Sequence, residues 1–183
     1  MTIDSSWTLF LDRDGVINER IPDGYVMSRE RFIIKDDFIE GIKLLRPHFG
    51  KVVIVTNQQG IGKGEMTEEI LHDIHQCLIE RLEQENIMLN AIYYCPHLKT
   101  DNCNCRKPNT GMAKMAKQQF PQIDYQKSIM IGDTMSDIIF GKRCGMITAF
   151  VGPEPPTVEP SLNTKPDFYG EDMLTIAHTI LPL

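Results

Sequence analysis

Five short runs of β-branched, aliphatic and aromatic residues recur along the chain: TLFLD at 8–12, VVIVT at 52–56, AIYY at 91–94, SIMIG at 128–132 and ITAFV at 147–151. Each is followed by a stretch in which apolar residues return with helical spacing. Near-continuous apolar runs suit strands buried on both faces, so the alternation predicts a three-layer α/β sandwich: a central parallel sheet with helices on either side. The clearest helix starts at Thr67, an N-cap residue followed by Glu68 and Glu69, with Ile70, Ile74, Leu78 and Leu82 spaced four apart. Further helices are expected over about 37–48, from near Gly111, over about Ser136–Arg143 and around 171–180, and a proline-rich loop fills most of 152–167.

At 183 residues with 42% hydrophobic content, the chain can bury one sizeable core, which makes 1–183 a single domain. Its formal net charge of −6 gives no general attraction to nucleic acid or to an anionic membrane. Any phosphate must then be held by locally placed groups. No run is long and apolar enough for a signal peptide or membrane helix, so the expected location is the cytoplasm.

In such sheets ligands bind beyond the carboxyl ends of the strands, and that is where the chemically interesting residues fall. In LFLDRDGVIN, Asp12 can attack phosphorus. Asp14, on the same side of an extended segment, can protonate the leaving oxygen, and Arg13 should point the other way. A general acid and base of this kind is expected to have a pKa moved towards neutrality. DxDG by itself also occurs in turns and calcium loops. The second strand ends in Thr56-Asn57 and continues into a glycine-rich turn whose hydroxyl and N–H groups can cradle phosphate oxygens. CRKPNTG at 105–111 brings Arg106 and Lys107 as cations, and IMIGDTMSD brings Asp133 and Asp137, hard oxygen donors suited to Mg²⁺. Each of these alone could be a surface dipeptide or a helix cap. Their conjunction is the specific signal.

Three of the five cysteines crowd into Cys95-Pro96-His97 and Cys103-Asn104-Cys105. Three sulfurs and an imidazole within residues 95–105 have the count and softness of a closed structural Zn²⁺ site, next in sequence to Arg106 and Lys107. Cys77 and Cys144 lie among apolar residues and are expected to be buried thiols.

Taken in order, Asp12/Asp14, Thr56, Lys107 and Asp133/Asp137 resemble the four signature motifs of the haloacid dehalogenase superfamily of phosphotransferases, over roughly residues 7–150. The resemblance implies a Rossmann-like fold without a large cap domain. It implies Asp12 as nucleophile, Asp14 as general acid and base, Thr56 and Lys107 as phosphoryl ligands, and Mg²⁺ on Asp12, Asp133 and the Asp14 carbonyl, with Asp137 in support. Within the superfamily, CPH…CNCRKPNTGM and TNQQGIGKG resemble the branch of heptose 1,7-bisphosphate and histidinol-phosphate phosphatases. GIxxG after TNQ, the DGY at 23–25 and the GM after RKP favour a heptose bisphosphate. Against it, the loop from His97 to Cys103 is short, as in histidinol-phosphate phosphatases, and Thr134 stands where the heptose enzymes commonly have lysine. The heptose branch further implies substrate contacts by Pro22, Asp23, Gly24, Tyr25, Asn57, Gln58, Gln59 and Arg106. The expected partner is thus a small phosphorylated metabolite bound by a monomer, with neither nucleic acid nor membrane involved. A polynucleotide 3′-phosphatase and a non-catalytic zinc-stabilised binding module are the remaining alternatives.

Overall fold

A computed structural model describes residues 2–154 and 164–181. The elements run β1 (Thr8–Leu11), α1 (Asp36–Leu45), β2 (Lys51–Asn57), α2 (Glu68–Gln84), β3 (Ala91–Cys95), α3 (Gly111–Gln119), β4 (Ser128–Gly132), α4 (Met135–Cys144), β5 (Ile147–Val151), β6 (Phe168–Gly170) and α5 (Met173–Ile180). The six strands form one parallel sheet in the order β3-β2-β1-β4-β5-β6.

Strand side chains alternate between the faces, and two apolar clusters result. Leu9, Leu11, Val52, Ile54, Ile129 and Ile131 meet α1, α2 and α5 on one side, whereas Phe10, Val53, Val55 and Met130 meet α3 and Phe140 of α4 on the other. Truncating Phe10, fully buried at the centre of the second cluster, should cost about 3–5 kcal/mol.

Thr67 caps α2 as expected, its hydroxyl accepting from the Ile70 N–H at 3.3 Å. The buried stripe runs through Leu71, Ile74, His75, Leu78 and Leu82, and Ile70 packs only at its margin. Cys77 and Cys144 are half-buried rather than buried, each at the edge of an apolar cluster. β6 was not anticipated: three residues carry too little apolar pattern to be read as a strand. Much of the proline-rich stretch lies outside the described residues. Among those described, no helix is long and apolar enough to cross a membrane.

Candidate active site

The strand order reverses between β1 and β4, and the crevice beyond their carboxyl ends is the natural ligand site of a doubly wound sheet. Asp12 follows β1, Thr56 and Asn57 end β2, Asp133 follows β4, and Arg106 and Lys107 arrive from the loop before α3. With Asp14, Asp23, Gly24, Tyr25 and Gln59 they line one open cleft of about 540 Å³. Pro22 is exposed and Gln58 buried, and neither belongs to the cleft lining.

At the floor, Asp12 Oδ1 accepts from the Arg13 N–H at 2.7 Å and lies 2.8 Å from Lys107 Nζ. No hydrogen bond from a described residue reaches Oδ2, so that oxygen keeps its lone pairs. The Lys107 ammonium also donates to the Val55 carbonyl at 2.7 Å and lies 2.6 Å from Asp137 Oδ1, off the direction of an ideal hydrogen bond. Burial works against the Lys107 charge, but Asp12 and Asp137 outweigh it and raise its pKa. Asn57 fixes the lysine's backbone: its amide oxygen accepts from Lys107 N–H at 3.0 Å, and its NH₂ donates to the Lys107 carbonyl at 3.2 Å.

Asp14 departs from expectation. Burial alone would push its pKa up, but Arg13, Asn18 and Gln58 together hold the carboxyl below its ordinary value, not nearer neutrality. Arg13 stays out of the cleft lining as foreseen, yet its Nη2 reaches both Asp14 oxygens at 2.8 and 2.9 Å. The Gln58 amide donates to Asp14 Oδ2 at 2.8 Å and to Thr56 Oγ1 at 2.9 Å. Thr56 thus accepts from Gln58 and keeps its own proton for an anionic oxygen.

Asp12, Asp133 and Asp137 bring carboxylate oxygens within 4.8 Å of one another. Three carboxylates face one buried ammonium. Burial first, then Asp137, pushes Asp12 up to about 7 and Asp133 up to about 6. Asp137 is committed elsewhere, since its Oδ2 accepts from Thr134 N–H and Oγ1 at the start of α4. Among the described residues, Asp133 Oδ2 takes only the exposed Arg20, at 3.2 Å, and its buried Oδ1 has no hydrogen-bond partner. An orphaned carboxylate oxygen beside excess negative charge suits a hard divalent cation. Gly15 permits the crowding: its φ is +95°, and a Cβ there would lie 2.1 Å from Asp133 Oδ2.

At the cleft's edge, five of the contacts among Cys95, Cys103 and Cys105 Sγ and His97 Nδ1 span 3.1 to 3.5 Å. Around a metal with bonds of ~2.0–2.3 Å, tetrahedral edges would be ~3.5–3.8 Å, so the four donors are placed to hold one ion. The loop is tied to its surroundings: Gln58 N–H donates to the Cys95 carbonyl at 2.8 Å and Gly62 N–H to that of Pro96 at 2.9 Å. Arg106 leans back on it, donating to the His97 carbonyl at 3.4 Å.

Comparison with known proteins agrees with this geometry. Residues 104–176 match the HAD hydrolase-like family model. A D-glycero-alpha-D-manno-heptose-1,7-bisphosphate 7-phosphatase of Photorhabdus laumondii is 35% identical over 93% of this chain and 94% of its own. This chain belongs to that family of HAD-like phosphatases. A D-glycero-beta-D-manno-heptose-1,7-bisphosphate 7-phosphatase of Helicobacter pylori is 39% identical over 73% of the chain and 76% of its own length. The D,D-heptose 1,7-bisphosphate phosphatase of B. bronchiseptica, solved with magnesium and phosphate, superimposes with a TM-score of 0.80 at 26% identity, covering 95% of this chain and 97% of its own.

Among the polar residues of this phosphatase that line the cleft, Arg20, Lys63 and Ser136 had not been anticipated, and Thr134 had been noted only as standing where lysine is frequent. Arg20 and Lys63 sit in loops already assigned to the cleft, and a cation within such a loop is the signal that could have found them. Tyr25 joins the two loops, its hydroxyl accepting from Gln59 Nε2 at 3.0 Å while Lys63 Nζ lies 5.2 Å from its ring centre.

Proposed function

We propose that this phosphatase removes the 7-phosphate of D-glycero-D-manno-heptose 1,7-bisphosphate through an aspartyl phosphate on Asp12. The carrying observation is the buried Asp12–Lys107 pair, 2.8 Å apart on the floor of a cleft that also holds Asp14, Thr56 and Asp133. The names of the relatives supply the substrate.

Asp12 Oδ2 attacks phosphorus and the bond to the sugar oxygen breaks, Asp14 giving that oxygen a proton. Asp14 then takes a proton from water as the water attacks the phosphorus of the aspartyl phosphate, releasing inorganic phosphate and restoring Asp12. The Thr56 hydroxyl and Lys107 ammonium hold the transferring phosphoryl oxygens. Because Arg13 favours the Asp14 anion, the arriving phosphate's own negative charge is what makes protonation of Asp14 easier. Asp12, Asp133 and the Asp14 carbonyl would hold Mg²⁺, which supplies charge neutralisation when bound. Asp137 supports them by orienting Lys107. Asp23, Gly24, Tyr25, Asn57, Gln59 and Arg106 face the sugar bisphosphate, whereas Gln58 braces Thr56 and Asp14 from behind. Cys95, His97, Cys103 and Cys105 would hold a structural Zn²⁺. On this reading the chain is a single-domain, cytoplasmic monomer with no nucleic-acid or membrane partner.

Phosphate release from heptose 1,7-bisphosphate, histidinol phosphate and a 3′-phosphorylated oligonucleotide, each with Mg²⁺, tests the assignment. The heptose substrate should exceed the others in kcat/KM by at least ~10²-fold, with heptose 1-phosphate as product. A larger kcat/KM on histidinol phosphate would reassign the substrate.

A further inference from the structure

Burying a cation is unfavourable by several kcal/mol unless it is paired and hydrogen-bonded, so a fully buried arginine beside an active site calls for a reason. Arg13 is the largest fully buried side chain among the described residues and lines no part of the cleft. Its Nη2 holds both Asp14 oxygens, its Nε approaches Oδ1 at 3.3 Å, and its guanidinium carbon lies 5.6 Å from the Phe32 ring centre. The remaining nitrogen, Nη1, lies 3.3 Å from Nε2 of His75, a buried residue on the core-facing stripe of α2.

The chemistry of that last contact is constrained. A guanidinium carries only donors, so His75 Nε2 must offer a lone pair, which puts the ring proton on Nδ1. A neutral acceptor occupies the spare donor without bringing a second negative charge. Among the described residues Asp14 is therefore the one carboxylate on the fork. Two parallel N–H···O bonds fix the plane of a carboxylate as well as its position, which a lysine cannot do.

We propose that Arg13, held by His75, is a positioning residue for proton transfer: its fork sets the plane and aim of the Asp14 carboxyl towards the leaving oxygen. This rests on the reading of Asp14 as the proton donor. Arg13→Lys keeps the charge and loses the fork. His75→Glu offers Arg13 a competing carboxylate, and His75→Gln keeps a neutral acceptor on a similar frame.

The test is the ratio of kcat on an alkyl phosphate, whose leaving oxygen needs a proton, to kcat on p-nitrophenyl phosphate, whose leaving group needs little. Loss of folded protein lowers both and cancels in the ratio. The ratio should fall by ~10–100-fold in Arg13→Lys and His75→Glu, with KM little changed, and by less than ~3-fold in His75→Gln. Asp14→Asn, measured alongside, tests the underlying reading, and its ratio should fall further still. If Asp14→Asn lowers the ratio while Arg13→Lys and His75→Glu leave it at the wild-type value, the positioning role is wrong. If Asp14→Asn leaves the ratio unchanged, the assignment of Asp14 fails.

Discussion

Three carboxylates and one ammonium at the floor of the cleft leave negative charge unbalanced, and the imbalance carries a pH signature. Burial and mutual repulsion raise Asp12 to about 7 and Asp133 to about 6, above the ordinary carboxyl value. For groups raised in the folded state, the contribution to stability is complete below about pH 4 and is lost as the pH climbs through those values. A divalent cation binds the ionised forms and opposes that loss. The rise in Tm on adding Mg²⁺ should therefore grow between about pH 5 and about pH 8. Thermal unfolding with and without Mg²⁺ across that range measures it, and a rise independent of pH would contradict the assigned ligands. The places of Asp12 and Asp133 in the cleft were legible because each directly follows an apolar strand, and that of Lys107 from the CRKPNTG run. The charge state of Asp14 was not, because it depends on Arg13 folding underneath and on Gln58, residues whose side-chain directions no linear pattern specifies.

At the scale of elements, the loop 95–105 joins the end of β3 to Arg106 and Lys107, so a metal that orders the loop should also order these two cations. Cys103→Ser should lose about one equivalent of bound metal, lower Tm and raise KM for a bisphosphate, with a smaller effect on small aryl phosphates. Elemental analysis beside calorimetry checks this, and a variant with unchanged metal content and Tm would return these residues to ordinary free thiols. β1, β2 and β4 were readable because strands buried on both faces must be apolar throughout. β6 was not, since Phe168–Gly170 borrows its order from β5 and α5. Helix α2 shows a subtler miss: an every-fourth-residue count from Ile70 puts the wrong residue on the stripe and passes over His75, a polar residue that the core retains beside Arg13.

Over the whole molecule, the sheet's reversal point brings residues from four separate segments to one cleft, and short loops rather than a cap shape its walls. The central claim is that Asp12 carries the phosphoryl group. Asp12→Asn is isosteric and removes one charge from a crowded cluster, so the variant should fold with a metal-free Tm no lower than that of the wild type. The most direct measurement is turnover of heptose 1,7-bisphosphate with Mg²⁺ by the two proteins side by side. The account predicts that the wild type releases phosphate and that the folded Asp12→Asn variant is slower by at least ~10⁴-fold, because an amide is a poor nucleophile towards phosphorus. A folded variant that keeps the wild-type kcat would contradict it.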